Sequence, residues 1–491
     1  MLVLKRLLIA LVLLVALALL AVLLLPSVVP GLHSSSLTMI LNVFTGRGAA
    51  QPSDTLLARL EAAPGYNVSV FARDLPHPRM MALAAPHQLL VSNPRPGTVT
   101  LLEDSDGDGA ADSRRDLLSG LRNPHGLALH QGFLYVAESN RVGRVALRDG
   151  ALAGEYEVLI SGLTDNGNHW TKSIAIGPDD KLYLAMGSSC NVCEEADPRR
   201  ATVMRFNADG SDGRIFASGL RNSVGLAFAP WNGALFATDN GRDLLGDNYP
   251  PCELNRVEED GFYGWPYRNG ANEPDPDFGG KRPALEAQAI APVHSFRAHN
   301  APLGITFLPG VRSALVALHG SWNRSTPDGY KVVRLDWSSA GISEQDFLWG
   351  FESDGDIIGR PVDVVDDGKG GVFVSDDYAK VVYRVSPQTG LASAANADTA
   401  AVAGSPLDAD SIAAGAALYE TMPCDECHKA PANPRLRLEN LAERYTPTSL
   451  AAYFLTPTPP MPRYELDAEQ RAHLAHYLLH SRGQARASHL Q

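Results

Sequence analysis

Cysteine is scarce, with five in 491 residues. Two of the five fall in one short motif near the C-terminus, which leaves Cys190, Cys193 and Cys252. No second CxxC and no paired His follows Cys190-Asn191-Val192-Cys193 at zinc-site spacing, which argues against a zinc site there. A disulfide between Cys190 and Cys193 is expected in an oxidising compartment, and Cys252 is left over. Clustered Lys and Arg are also missing. The formal charge is −13, so a nucleic-acid surface is not expected. The hydrophobic content of 45% is ordinary and points to globular domains, and the length points to two or more of them.

A third absence lies near the N-terminus. Lys5 and Arg6 precede an uninterrupted apolar run from Leu7 to Leu25. Such a run reaches roughly 30 Å as a helix, enough to cross a bilayer. No small-x-small cleavage site follows it, only Pro26-Ser27-Val28-Val29-Pro30. The run therefore reads as an uncleaved anchor over residues 1–26, with a cleaved signal as the alternative. The basic pair ahead of the run keeps the N-terminus in the cytoplasm and puts the rest outside, in the periplasm of a Gram-negative bacterium.

Residues 27–60 read as a stalk. Residues 388–407 are rich in Ala, Ser and Asp without apolar periodicity and read as a linker. Between them, over 61–387, one pattern recurs six times: two short apolar strands joined by a Gly, Pro, Asn or Asp turn, then a polar loop and another strand. The copies begin at Arg79, Asn123, Ser173, Val224, Leu303 and Pro361. Recurrence of short antiparallel strands at roughly 50 residues predicts a six-bladed β-propeller, its inner loops converging on one mouth of the central channel. The fold class is thus mainly β, followed over 408–484 by a small all-α domain and a tail at 485–491. In that domain Asp410 and Ser411 are candidate N-caps, Asp467 and Gln470 a candidate capping box, and Gly415 a point of close helix approach.

Cys424-Asp425-Glu426-Cys427-His428 is a CxxCH motif. Its two thiols have the spacing to bond haem vinyl groups, and the adjacent His428 imidazole meets the iron. A zinc knuckle would need further ligands nearby, but the later His473, His476 and His480 lie in the terminal helix. Met461, flanked by Pro460 and Pro462, is the candidate second iron ligand. The segment resembles a class I cytochrome c domain carrying covalent haem c.

Within the propeller, Gly167-Asn168-His169-Trp170-Thr171-Lys172, Gly219-Leu220-Arg221-Asn222, Gly261-Phe262-Tyr263-Gly264-Trp265-Pro266 and Gly320-Ser321-Trp322-Asn323-Arg324 occur in the same order as in the soluble quinoprotein glucose dehydrogenases and sorbosone dehydrogenases, which the chain resembles. That resemblance implies pyrroloquinoline quinone (PQQ) and calcium at the channel mouth. It implies that His169 is the general base that takes the proton of the substrate's C1 hydroxyl as hydride leaves for the quinone. Arg221 and Asn222 would hold the cofactor, Arg221 also stabilising developing negative charge. Asn240, Arg324 and Arg360 would contact it as well, and the backbone carbonyls of Gly241 and Arg242 would ligate calcium. Two departures stand out. Ser188 follows Gly187 where the glucose enzymes carry the carboxylate that orients the base, which leaves Asp165 as the candidate orienting group. The Cys190–Cys193 pair resembles the sorbosone branch.

Asp104, Asp106, Asp108 and Asp112 alternate as in a calcium loop, but Arg115 occupies the twelfth position, where an EF-hand needs Glu. The stretch reads as an acidic hairpin turn or as a structural calcium site. Together these features predict a sugar or aldehyde dehydrogenase in the bacterial inner membrane, passing electrons to its own haem and on to a respiratory cytochrome or oxidase. The alternatives are a lactonase-like propeller hydrolase and a non-enzymatic binding propeller, each fused to a cytochrome.

Overall fold

The computed structural model describes residues 56–338 and 341–388 throughout, and parts of the flanking segments, including 11–18, 409–422 and 466–483. Six antiparallel sheets follow one another along the chain. Blade 1 is built from Met81–Ala85, Gln88–Asn93, Thr98–Glu103 and Ser113–Leu118. Blade 2 comprises Leu127–His130, Phe133–Ala137, Val142–Arg148 and Glu157–Ile160. Lys172–Ile176, Lys181–Met186, Thr202–Asn207 and Arg214–Ser218 form blade 3. Blade 4 is Ser223–Phe228, Leu235–Asp239, Cys252–Val257 and His294–Phe296. Blade 5 is Pro302–Phe307, Ser313–Leu318, Lys331–Ser338 and Gly341–Trp349. Blade 6 takes Pro361–Asp366, Val372–Asp376 and Val381–Pro387, and its outer strand is Tyr66–Ala72, from before blade 1. The first strand of each blade touches the first strands of its two neighbours, which closes a ring. The six expected copies are the first two strands of these six blades.

The reason lies in burial. Second strands such as Leu89-Leu90-Val91, Leu134-Tyr135-Val136 and Leu315-Val316-Ala317 are almost wholly buried, because each is covered by a neighbouring blade on both faces. Outer strands alternate or lie exposed, as in Ser113–Leu118. Cys252, unassigned from sequence, is a core residue of blade 4 packed with Leu254 and Phe296. Burial pushes its thiol up to about 11.

Packing extends before residue 61. Leu56 and Leu60, one helical turn apart around the helix Leu56–Arg59, are buried against Phe347, Leu348 and Phe351. Glu61–Ala62 then pairs with Leu348–Trp349. Residues 56–60, read from sequence as stalk, thus belong to the propeller's packed surface.

Residues 261–290 are an insertion within blade 4. Gly261–Phe262 pairs in parallel with Ala217–Ser218, and Arg268–Asn269 pairs with Glu273–Pro274. Arg242 ties the insertion to the channel mouth. It is fully buried and bonds Asp275 at 2.6 and 2.8 Å and Asp277 at 2.9 Å.

Residues 387–491 form a second compact unit. Its described helices, Ala409–Thr421 and Ala468–Gly483, pack on each other. A Cβ at Gly415 would come within 2.0 Å of the His473 carbonyl, so glycine permits the crossing. Asp467 and Gln470 form a reciprocal capping box, Asp467 N donating to Gln470 Oε1 and Gln470 N to Asp467 Oδ1. Asp410 and Ser411 fall inside the first turn of their helix, not at its cap. Leu474 and Leu478 are buried in an apolar cluster with Tyr419, Leu450 and Phe454. The expected linker lies outside the described residues apart from Gln388, and residues 485–491 lie wholly outside them.

In the N-terminal run, residues 11–18 are helical and exposed, and most of the remainder lies outside the described residues. Among the described residues no helix is long and apolar enough to cross a membrane.

Candidate active site

All six inner strands begin at one end of the channel, and the residues just before them meet the residues just after the second strands. A recurring cap sets this edge. Asn93 accepts from His77 N, Glu138 from Arg122 N, Asp239 from Arg221 N and Asn222 N, and Asp376 from Arg360 N. In four blades a polar side chain ending the second strand therefore holds the backbone on which a mouth side chain is mounted. Burial pushes the Asp239 and Asp376 carboxyls up to about 7.

His169 stands before blade 3 with a positive φ of 49°, a conformation that non-glycine residues adopt sparingly and that often marks a functional position. Asn168 N donates to the Ser189 carbonyl at 2.7 Å and fixes the loop. The His169 Nδ1 lies 3.0 Å from the Ser188 carbonyl and 2.9 Å from Ser188 Oγ, which itself donates to the Cys190 carbonyl. A carbonyl only accepts, so Nδ1 carries the proton and Nε2 keeps its lone pair. No protein partner is found for Nε2 among the described residues. Burial, with the Arg221 and Arg200 charges, holds the ring well below its usual pKa, so it is neutral. Ser188 thus orients His169 through its carbonyl and hydroxyl. Asp165 does not orient it, being bonded to Arg122 and Ser139. Gly187 allows the arrangement, since a Cβ there would come within 2.6 Å of both His169 Cβ and Asn222 Oδ1.

Arg221 is buried, and all five of its donors have protein acceptors: Asn191 O and Oδ1, Asn240 O, Gly241 O and Asp243 Oδ2. Its positive charge is therefore fixed beside His169, and no donor remains for a bidentate grip on a carboxylate. The Gly241 carbonyl already accepts from Arg221, so a calcium ion there would share the oxygen's second lone pair. Arg242's side chain is spent on the insertion. Asn240 Nδ2 donates to the Asn222 and Pro302 carbonyls. Arg324 is bonded to the Asp247, Ala298 and Thr326 carbonyls. Arg360 uses Nε and Nη2 on the His319 and Gly320 carbonyls, and among the described residues Nη1 has no acceptor.

Sequence reasoning missed the opposite side of the mouth. Arg79 Nη1 bonds Asp377 Oδ2 at 2.7 Å, and Arg79 Nη2 lies 3.4 Å from His125 Nε2. His319 Nε2 bonds Asp377 Oδ1 at 2.9 Å. Arg79 and His125 occupy matching places in their repeat copies, each two residues before the first strand of its blade, and that register was the available signal. Arg79, Arg221 and Arg360, with Asn222 and the His169 ring, make a cation-rich mouth whose chemistry fits a planar anionic quinone.

Elsewhere, the Asp104, Asp106 and Asp108 carboxylates lie within 4.8 Å of one another. Asp112 turns away to accept from Ser105 N and Oγ. The acidic stretch is a hairpin turn between two strands of blade 1, capped by its own carboxylates. Cys190 and Cys193 form the expected disulfide. In the second unit Met461 packs half-buried against the apolar cluster. His428 is described, while Cys424 and Cys427 lie outside the described residues.

The TrAA12-like family profile matches residues 60–260 and 284–388. The chain belongs to the TrAA12-like family. The unmatched residues 261–283 fall in the blade 4 insertion and include Gly261 to Pro266, so that stretch carries no weight for membership. The TrAA12-like chain is 27% identical over 338 residues to a pyrroloquinoline quinone-dependent pyranose dehydrogenase of Coprinopsis cinerea, covering 58% of this chain and 45% of the relative. It is 37% identical over 220 residues to an uncharacterised protein of Borreliella burgdorferi, covering 42% and 57%. The chain thus spans about half the length of these curated relatives. Among solved structures, the calcium form of a Trichoderma reesei enzyme of carbohydrate-active enzyme family AA12 superposes with a TM-score of 0.60 at 21% identity, covering 67% of this chain and 97% of that one. The holo pyranose dehydrogenase PQQ domain of Coprinopsis cinerea gives 0.58 at 22%, covering 69% and 98%. Both agree with the fold.

Proposed function

We propose that this TrAA12-like chain is a PQQ-dependent sugar dehydrogenase of the aldose or sorbosone type. We further propose that it is held in the bacterial inner membrane by one N-terminal span and works in the periplasm. Electrons then pass to its own c-type haem and on to a respiratory cytochrome or oxidase. The observation that carries the reading is the His169 ring, neutral, tied through Nδ1 and offering Nε2 at a cation-rich mouth.

Bound quinone would supply the two-electron acceptor for oxidation at the sugar's C1. The chain's own residues do the rest. His169 Nε2 accepts the C1 hydroxyl proton, and Ser188 keeps the ring in the required tautomer as it becomes charged. Arg221 holds a fixed positive charge where negative charge develops, at no cost in reorganisation. Arg360, whose Nη1 has no acceptor among the described residues, is the residue best suited to a cofactor carboxylate. Asn222 and Asn240 line the same edge, and Arg324 shapes it through the loop it grips. Calcium at the Gly241 and Arg242 carbonyls is part of the proposal, but no proton movement depends on it. Haem attachment is supported by the Cys424–Cys427–His428 spacing and by the half-buried Met461, and the anchor by the run from Leu7 to Leu25.

The test is a substrate panel. Purified protein is loaded with PQQ and calcium, given pyranoses, aldehydes and lactones, and followed with an artificial electron acceptor. Quinone-dependent acceptor reduction by a sugar or aldehyde supports the reading. Lactone hydrolysis without acceptor reduction would establish the hydrolase instead, and bound quinone without turnover a binding propeller.

A further inference from the structure

Asn191 sits inside the four-residue loop that the Cys190–Cys193 disulfide closes. Its carbonyl accepts from Arg221 Nε at 2.9 Å, and its Oδ1 accepts from Arg221 Nη2 at 2.9 Å and from Asp243 N at 2.8 Å. Its Nδ2 donates to the Asp243 carbonyl at 3.1 Å. One residue therefore grips one whole edge of the guanidinium and also pins residue 243, whose carboxylate takes a further Arg221 donor. The same loop reaches the base: Ser188 Oγ donates to the Cys190 carbonyl at 2.8 Å and lies 2.9 Å from His169 Nδ1. Two side chains of the mouth, from blades 3 and 4, are thus set by one small ring of backbone.

We propose that Asn191, held in place by the Cys190–Cys193 bridge, is the positioning residue for Arg221, and that the bridged loop keeps Arg221 in register with His169. The inference rests on reading the mouth as a quinone and sugar site. An unbridged loop of this kind retains backbone freedom that the disulfide removes. A guanidinium that takes two of its five acceptors from one residue loses its aim when that residue yields. Outer partners of this sort typically change affinity or rate by about 10- to 100-fold when removed.

The test uses the full-length protein and the variants Asn191→Ala, Asn191→Asp and Cys190→Ser with Cys193→Ser. Asn191→Asp keeps the acceptor for Arg221 and Asp243 N, while a carboxylate oxygen replaces the donor that faced the Asp243 carbonyl. The first readout needs no cofactor: hydrogen-exchange protection by NMR of the Arg221 Nη2–H, whose acceptor is the Asn191 side-chain Oδ1. Protection should fall in Asn191→Ala and in the double serine variant and be largely retained in Asn191→Asp. The second is PQQ affinity together with the single-turnover sugar rate. Asn191→Ala should lose about 10- to 100-fold in affinity or rate, and Asn191→Asp should recover most of it. Undiminished Nη2–H protection in Asn191→Ala, or equal impairment of the Ala and Asp variants, would overturn the proposal. Should the Ala variant not fold, reduction of the wild-type bridge, counted by thiol alkylation, must lower the same protection for the proposal to stand. Wild-type protein that shows the protection pattern but no quinone-dependent sugar oxidation contradicts the functional reading and leaves the positioning role intact.

Discussion

His169 combines three properties that rarely coincide by chance: a left-handed backbone, a tautomer fixed by Ser188, and a ring held neutral beside two guanidiniums. The direction of its shift sets a pH dependence. A depressed pKa keeps the base form present below 6.5, so the acid limb of the sugar-oxidation rate should lie clearly below pH 6.5. A limb at or above 6.5 in single-turnover profiles would contradict the role. His169→Ala should retain PQQ binding and lower the reductive rate by about 10²- to 10⁴-fold, read by stopped-flow mixing with sugar. The sequence makes the base visible through its motif but not its orienting partner. Ser188 acts through a main-chain carbonyl, and any residue type could have supplied that carbonyl. For the same reason Arg221 is legible as a mouth residue, while its saturation by Asn191, Asn240 and Gly241 oxygens is not.

At the scale of elements, the propeller is legible because burial leaves a repeating trace. Each inner pair of strands must be apolar on both faces, and each turn needs Gly, Pro, Asn or Asp, so six copies stand out. The blade 4 insertion leaves no such trace, since its short strands and turns are held by a buried ion pair rather than by a periodic core. That pair gives a sharp expectation. Arg242 and Asp275 are both fully buried, so Arg242→Ala strands the Asp275 carboxylate and should cost about 3–5 kcal/mol, measured by denaturant unfolding. A loss below about 1 kcal/mol would mean that the insertion is held by something else. The closing strand Tyr66–Ala72 and the packed residues 56–60 are also hard to foresee, because their partners lie roughly 300 residues away in sequence and nothing local marks them. In the helical unit the capping box and the Gly415 crossing are legible, since both depend on residues a few positions apart or on a missing Cβ.

On the scale of the whole molecule, the chain joins a TrAA12-like propeller to a small helical unit carrying CxxCH, and the proposed activity needs both. A propeller that oxidises sugars must hand on two electrons, and a haem takes them one at a time, which makes the fusion chemically sensible. The measurement that bears most directly on this account follows the absorbance of the proposed c-type haem in the anaerobic full chain mixed with sugar, with and without PQQ. The account predicts reduction of the haem only when quinone and sugar are both present, and its near-disappearance in His169→Ala. A haem that stays oxidised while the quinone-loaded propeller turns over an added artificial acceptor, or one that is reduced by sugar without quinone, would contradict it.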